Sequence, residues 1–142
     1  MLQIGETFFT TVGCMDGRVQ EPILKLGQKK FGAKFADIIT ETGLVGVFSK
    51  QNVDNNLIKS LKKKILISLE KHHSRGIIVH GHQGCAGNPV DDHRHKEDVR
   101  KSVDMIKSLV NSSMPVVGVF VKRSQNGPSV WEAEEISSTV TV

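Results

Sequence analysis

Apolar positions along the chain fall into two alternating patterns. Short runs rich in β-branched and aromatic residues read as strands: residues 7–12, residues 35–40, residues 77–80 and residues 116–121. The spans between them have helical spacing. Val19, Ile23 and Leu26 predict a helix that begins at Val19 and closes at Gly32, with Pro22 in the first turn, where its missing donor is not needed. Ile58, Leu61, Ile65 and Leu69 form one stripe of a helix over residues 52–74. Val99, Val103, Ile106 and Val110 form the stripe of another, capped by Asp91 or Asp92. A glycine-containing loop through Gly43 and Gly46 follows the second strand, and residues 124–128 read as a turn. Residues 130–136 predict an edge strand, with an antiparallel direction as one option, and residues 137–142 are β-prone without further detail.

Strands alternating with helices imply a mostly parallel sheet with helices on both sides. At 142 residues the chain is large enough for one hydrophobic core, and it shows no internal repeat or Pro, Gly or Ser linker. The expected architecture is one α/β domain spanning residues 1–142. No apolar run approaches the roughly 18 residues needed to cross a bilayer, so no membrane partner is expected. Residues 1–6 lack the basic segment and long apolar stretch of a signal peptide, which makes the cytoplasm the expected location. The net charge of +4 comes mainly from lysines, among them Lys59, Lys62, Lys63 and Lys64 on the outer face of a predicted helix. With no tyrosine and one tryptophan for stacking, a nucleic-acid partner is not expected.

Two stretches carry the candidate chemistry: Gly13-Cys14-Met15-Asp16-Gly17-Arg18 and Gly81-His82-Gln83-Gly84-Cys85. Each follows a predicted strand, and loops at the carboxyl ends of parallel strands gather at one edge of the sheet. Cys14, His82 and Cys85 are therefore expected to meet if the first and third strands are neighbours. Two thiolates and an imidazole suit Zn²⁺, and three protein ligands with a vacant fourth position make a catalytic rather than a structural site. In a cytosolic chain this use of two cysteines is preferred to a disulfide. Asp16 can either accept a hydrogen bond from water on the zinc or occupy the fourth position itself. Arg18 can hold that carboxylate through a charge-assisted pair.

Cys14-Met15-Asp16-Gly17-Arg18 resembles the Cys-x-Asp-x-Arg motif of the β-class carbonic anhydrases, and His82-Gln83-Gly84-Cys85 resembles their His-x-x-Cys motif. A valine straight after the arginine, a nearby proline and an apolar strand before the second motif agree, and the similarity spans roughly residues 7 to 136. The resemblance implies a zinc lyase that interconverts carbon dioxide and bicarbonate through zinc-bound hydroxide. Cys14, His82 and Cys85 would bind the metal, with Asp16 and Arg18 as the catalytic dyad beside it. It also implies a homodimer or a dimer of dimers with the active site near the subunit boundary. The first motif begins at residue 14, so the chain reads as a compact, divergent member without the family's long N-terminal helices. Where family members commonly carry Arg-Asn-Ala-Gly after the second strand, this chain has Thr40-Glu41-Thr42-Gly43, and it has Cys85-Ala86-Gly87 in place of Cys-Gly.

Three functions stay open at this level: a carbonic anhydrase, a zinc hydrolase or lyase acting on another small electrophile, and a catalytically silent zinc-binding relative in which Asp16 closes the metal shell. His93 and His95 either begin a helix as exposed polar residues or shuttle protons between metal and solvent. His72 and His73 suit a helix C-terminus, and His80 is expected to be a hydrogen-bonded core residue.

Overall fold

The computed structural model describes residues 1–110 and 113–136. Its elements are β1 (Phe8–Gly13), α1 (Gly17–Phe31), β2 (Phe35–Thr40), α2 (Leu44–Phe48), α3 (Asn55–Lys71), β3 (Ile77–His82), α4 (Asp92–Val110), β4 (Val116–Arg123) and β5 (Trp131–Ile136). They form a five-stranded sheet in the order β2-β1-β3-β4-β5. The first four strands are parallel and β5 runs antiparallel to β4. The α/β class and mostly parallel sheet match expectation. The terminal residues 137–142 lie outside the described residues.

Strand side chains alternate between two apolar layers, because successive residues point to opposite faces. Val12, Ile77 and Val79 pack on one side with Leu44 and Phe48 of α2, Leu61 and Ile65 of α3, and Val99 and Ile106 of α4. Phe9, Ile78, Val119 and Val121 pack on the other with Val19 and Ile23 of α1. Burial on both faces explains the unbroken apolar runs of the central strands.

The boundaries differ from the sequence reading in three instructive places. α1 starts two residues early because the Asp16 side chain accepts a hydrogen bond from Arg18 N and caps the helix. Pro22 consequently falls in the second turn, not the first. The glycine loop after β2 contains α2, whose five residues are too few to display a helical period; Leu44, Val45 and Phe48 are buried there. β3 continues through Gly81 and His82, and His82 pairs in register with Val121. An apolarity rule stops at His80, whereas the ladder continues because both histidines are buried.

β1 and β3 are neighbours, with Gly13 opposite His80. The two motif stretches therefore leave adjacent parallel strands at the same edge.

Candidate metal centre

Cys14, His82 and Cys85 are brought together as a buried cluster whose ligand atoms all lie within 4.8 Å of one another. The two sulfurs are 3.8 Å apart, and both cysteines are free thiols. His82 Nδ1 lies 2.9 Å from the Gln83 carbonyl oxygen. A carbonyl only accepts, so the proton sits on Nδ1 and Nε2 retains its lone pair. That Nε2 is buried with no hydrogen-bond partner among the described residues. A buried acceptor left bare is costly, and a cation bound by the two sulfurs and Nε2 would remove the deficit. The donor set and this orphaned nitrogen fit Zn²⁺.

The sulfurs have backbone donors of their own. Gly43 N donates to Cys14 Sγ at 3.4 Å. Backbone amides of Gly87 and Asn88 donate to Cys85, while burial and the neighbouring Cys14 push its thiol pKa up. Gly43 sits at φ +60°, and a Cβ there would stand 2.4 Å from the Gly87 carbonyl oxygen. Glycine is thus required twice over at the point where the α2 loop crosses the ligand loop.

Asp16 and Arg18 form the bidentate pair that the sequence suggested. Arg18 Nε reaches Oδ1 at 3.0 Å and Nη2 reaches Oδ2 at 2.7 Å, with the backbone N of Arg18 also donating to Oδ1 at 2.9 Å. The Arg18 guanidinium hydrogen bond holds the Asp16 carboxyl well below its usual range, at about 2. Oδ2 lies 3.9 Å from His82 Nε2. Since burial pushes the His82 imidazole pKa down, this is a carboxylate beside a neutral ring, not an ion pair. Arg18 Nη2 also donates to the Gly84 carbonyl at 3.3 Å, joining the two motif loops. Gln20 Nε2 donates to the carbonyls of Cys14 and Asp16, each at 3.1 Å, and fixes the turn between them.

The histidines outside the cluster depart from expectation. His95 is only 2% exposed and lies beneath the site, where its Nε2 accepts from His82 N at 3.3 Å. It is neither an exposed helix start nor a relay to solvent, and burial depresses its pKa to about 4. Its ring occupies the space where a Cβ on Gly81 would stand. His93 is exposed, as expected for a helix start. His80 is fully buried, but neither ring nitrogen has a partner among the described residues, so there it is not the hydrogen-bonded core residue expected. Its ring lies flat against Gly13, and burial depresses its pKa to about 3. His72 caps the end of α3 and approaches Asp37 Oδ2 at 2.7 Å through Nδ1.

Two residues beside the site escaped the sequence reading. Trp131 places its ring 6.5 Å from that of His82. The Arg18 and Arg123 guanidiniums lie over this indole at 4.7 and 4.6 Å. Trp131 carried a faint signal as the sole tryptophan of the chain; Arg123, at the end of an apolar strand, carried none.

The α/β sheet brings two cysteines and one histidine together beyond neighbouring parallel strands, a donor set able to hold one metal ion. The family model described as "Putative carbonic anhydrase" matches residues 4–136, and the chain belongs to that family. No curated protein matches its sequence. Among solved structures, it is similar to β-carbonic anhydrase isoform I of Trichomonas vaginalis, at 16% identity and TM-score 0.57, covering 92% of this chain and 82% of that one. It is also similar to a carbonic anhydrase of Streptococcus mutans, at 19% identity and TM-score 0.57, covering 96% and 87%. A β-carbonic anhydrase of Aspergillus fumigatus matches at 12% identity and TM-score 0.55, covering 96% and 78%. At these identities the likeness shows the fold. No helix among the described residues is long and apolar enough to cross a membrane.

Proposed function

We propose that the protein is a zinc-dependent carbonic anhydrase that interconverts carbon dioxide and bicarbonate, with Cys14, His82 and Cys85 as the metal ligands. The observation that carries this is the buried cluster with donor atoms within 4.8 Å, set against the Asp16–Arg18 pair. Bound zinc supplies Lewis acidity that activates water near neutral pH. The Gln83 carbonyl holds His82 in the ligating tautomer, and amides from Gly43, Gly87 and Asn88 support the thiolates. Asp16, with its pKa at about 2, is an acceptor throughout the neutral range. It is too weak a base to remove protons efficiently and serves to orient a water molecule by accepting its hydrogen bond. Arg18 keeps that carboxylate in position through two parallel donors.

A second reading has a specific observation in its favour. Oδ2 of Asp16 is 3.9 Å from His82 Nε2, near enough that the carboxylate could itself become the fourth ligand of a metal held by the cluster and silence the site. The three hydrogen bonds from Arg18 hold it back and favour the active form. The proposed catalytic unit is the single domain of residues 1–142 assembled as a homodimer or dimer of dimers, which sedimentation would reveal.

Stopped-flow carbon dioxide hydration on zinc-loaded protein, from about pH 6 to 9 around the near-neutral pKa of activated water, tests the reading. Activity clearly above that of Cys85→Ser supports it, and a rate no higher than that control overturns it. Zinc content provides an independent check: less than about half an equivalent per chain would remove the site, because a site with three well-placed ligands binds tightly at pH 7. Full zinc occupancy with activity confined to high pH favours closure by Asp16.

A further inference from the structure

Between α1 and the β4–β5 connection lies a cavity of about 670 Å³. This is far more than carbon dioxide or bicarbonate fills and within the roughly 300–1,000 Å³ of clefts that hold organic ligands. Its wall contains three cations, Arg18, Lys25 and Arg123, against one carboxylate, Glu21. Glu21 is already paired with Lys25 at 2.7 Å, and Arg18 with Asp16. Arg123 has no carboxylate partner among the described residues; its guanidinium rests on the Trp131 indole. With Arg18 over the same ring, two guanidiniums share one aromatic anchor. The ring quadrupole attracts each of them, but it does not neutralise their mutual repulsion. Pro22, Val130 and Trp131 give the same cavity an apolar side, and Val130 is 47% exposed there.

We propose that this cavity binds an organic oxyanion, a carboxylate or phosphate monoester carried on an apolar body, with Arg123 and Lys25 holding the charged group. Arg123 offers a planar fork suited to either oxyanion, and Lys25 adds a point charge. The body packs against Pro22, Val130 and the free parts of the indole. This goes beyond carbon dioxide hydration and does not rest on it. The cavity nevertheless adjoins the metal centre. A Cβ on Gly84, which precedes Cys85, would stand 3.1 Å from Arg123 Nη1, and Arg18 donates to the Gly84 carbonyl. A ligand drawn to Arg123 therefore sits against the loop that carries two of the proposed metal ligands.

Trp131 is the only tryptophan of the chain, so its fluorescence reports on this cavity and on the neighbouring His82, whose ring lies 6.5 Å away; the Arg123 variants separate the two. Zinc-loaded full-length protein at fixed ionic strength is titrated with phenyl phosphate, with benzoate and with inorganic phosphate. The expected result is a saturable change with phenyl phosphate or benzoate, half-complete at or below about 1 mM; which of the two binds tighter identifies the charged group. Inorganic phosphate, lacking the apolar body, should require several-fold more. Arg123→Gln should raise the half-saturation concentration at least about tenfold, as expected for a lost charged hydrogen bond, with Arg123→Lys between it and the native chain. Arg123→Gln should keep the native far-UV circular dichroism spectrum, so that its weaker response is a loss of binding and not of fold. A linear response to all three probes overturns the proposal, as does an unaltered titration in Arg123→Gln. Equal affinity for inorganic and phenyl phosphate overturns the organic part. Emission that changes with protein concentration and not with any probe would mean that a second copy fills the cavity, which also overturns it.

Discussion

Gly43 shows how a single residue without a side chain can shape the proposed metal centre. It combines φ +60° with a close approach to the Gly87 carbonyl, and its N–H donates to Cys14. Gly43→Ala is expected to cost at least about 1–2 kcal/mol from the left-handed backbone, with further loss from the collision. Thermal denaturation should show a Tm lowered by several degrees, and a chelator competition should show weaker zinc retention. Asp16 makes a prediction of opposite kind. Its folded pKa of about 2 lies below the ordinary 3.8, so its contribution to stability is present above pH 4 and is lost as pH falls through about 2. Asp16→Asn should flatten the denaturation profile in that window while leaving the slope near pH 5 to 7 unchanged. In zinc-loaded protein the same substitution should reduce hydration by about 10–100-fold, the usual cost of losing a group that supports a metal site. At this scale Cys14, Asp16, Arg18, His82 and Cys85 were legible because their identities and spacing are local. The Gly43 donor was not, since it comes from a residue 29 positions from the cysteine it serves.

Among the elements, α3 is joined to the sheet by a polar network as well as by its leucine and isoleucine stripe. Thr10 Oγ1 on β1 lies 2.7 Å from Ser68 Oγ, and Ser68 donates to Asp37 Oδ2 on β2 at 2.6 Å. Thr10 also donates to Ser74 at 2.7 Å, and His72 approaches the same Asp37 oxygen. Ser68 is 2% exposed, so Ser68→Ala should destabilise the protein by about 1–3 kcal/mol through loss of satisfied buried partners. Hydrogen exchange should accelerate first in α3. The helical stripe of α3 was readable from its period, but this network was not, because its members come from three separate stretches of chain. α4 makes the same point: its apolar stripe was evident, whereas the burial of His95 depends on the space left by Gly81 on a facing strand.

For the whole molecule, two histidines buried without charge impose a pH dependence. The pKa values of His80 and His95 fall to about 3 and about 4, from 6.5, through desolvation. Below pH 6.5 the unfolded chain binds protons that the folded chain refuses, so stability falls as the pH drops toward those folded values. Metal-free protein should therefore need progressively less urea to unfold between pH 7 and 4. His80→Met should make that decline shallower. Metal-free protein is the right sample because protonation of the proposed ligands would also release bound zinc. A steady urea midpoint across this range would contradict the burial of the two rings as neutral groups.

The sequence alone determined the alternation of strands and helices, the parallel sheet that this implies, and the two cysteine-bearing motifs at strand ends. All of these are carried by neighbouring residues or by a period along one element. Tertiary structure decided that β1 lies beside β3, which turns two separated motifs into one cluster. It also decided that Gly43 donates to Cys14, that His95 lies under His82, and that Arg18 and Arg123 share Trp131. Those contacts depend on which surfaces pack together and how closely the backbone can approach, and neither spacing nor composition encodes that distance.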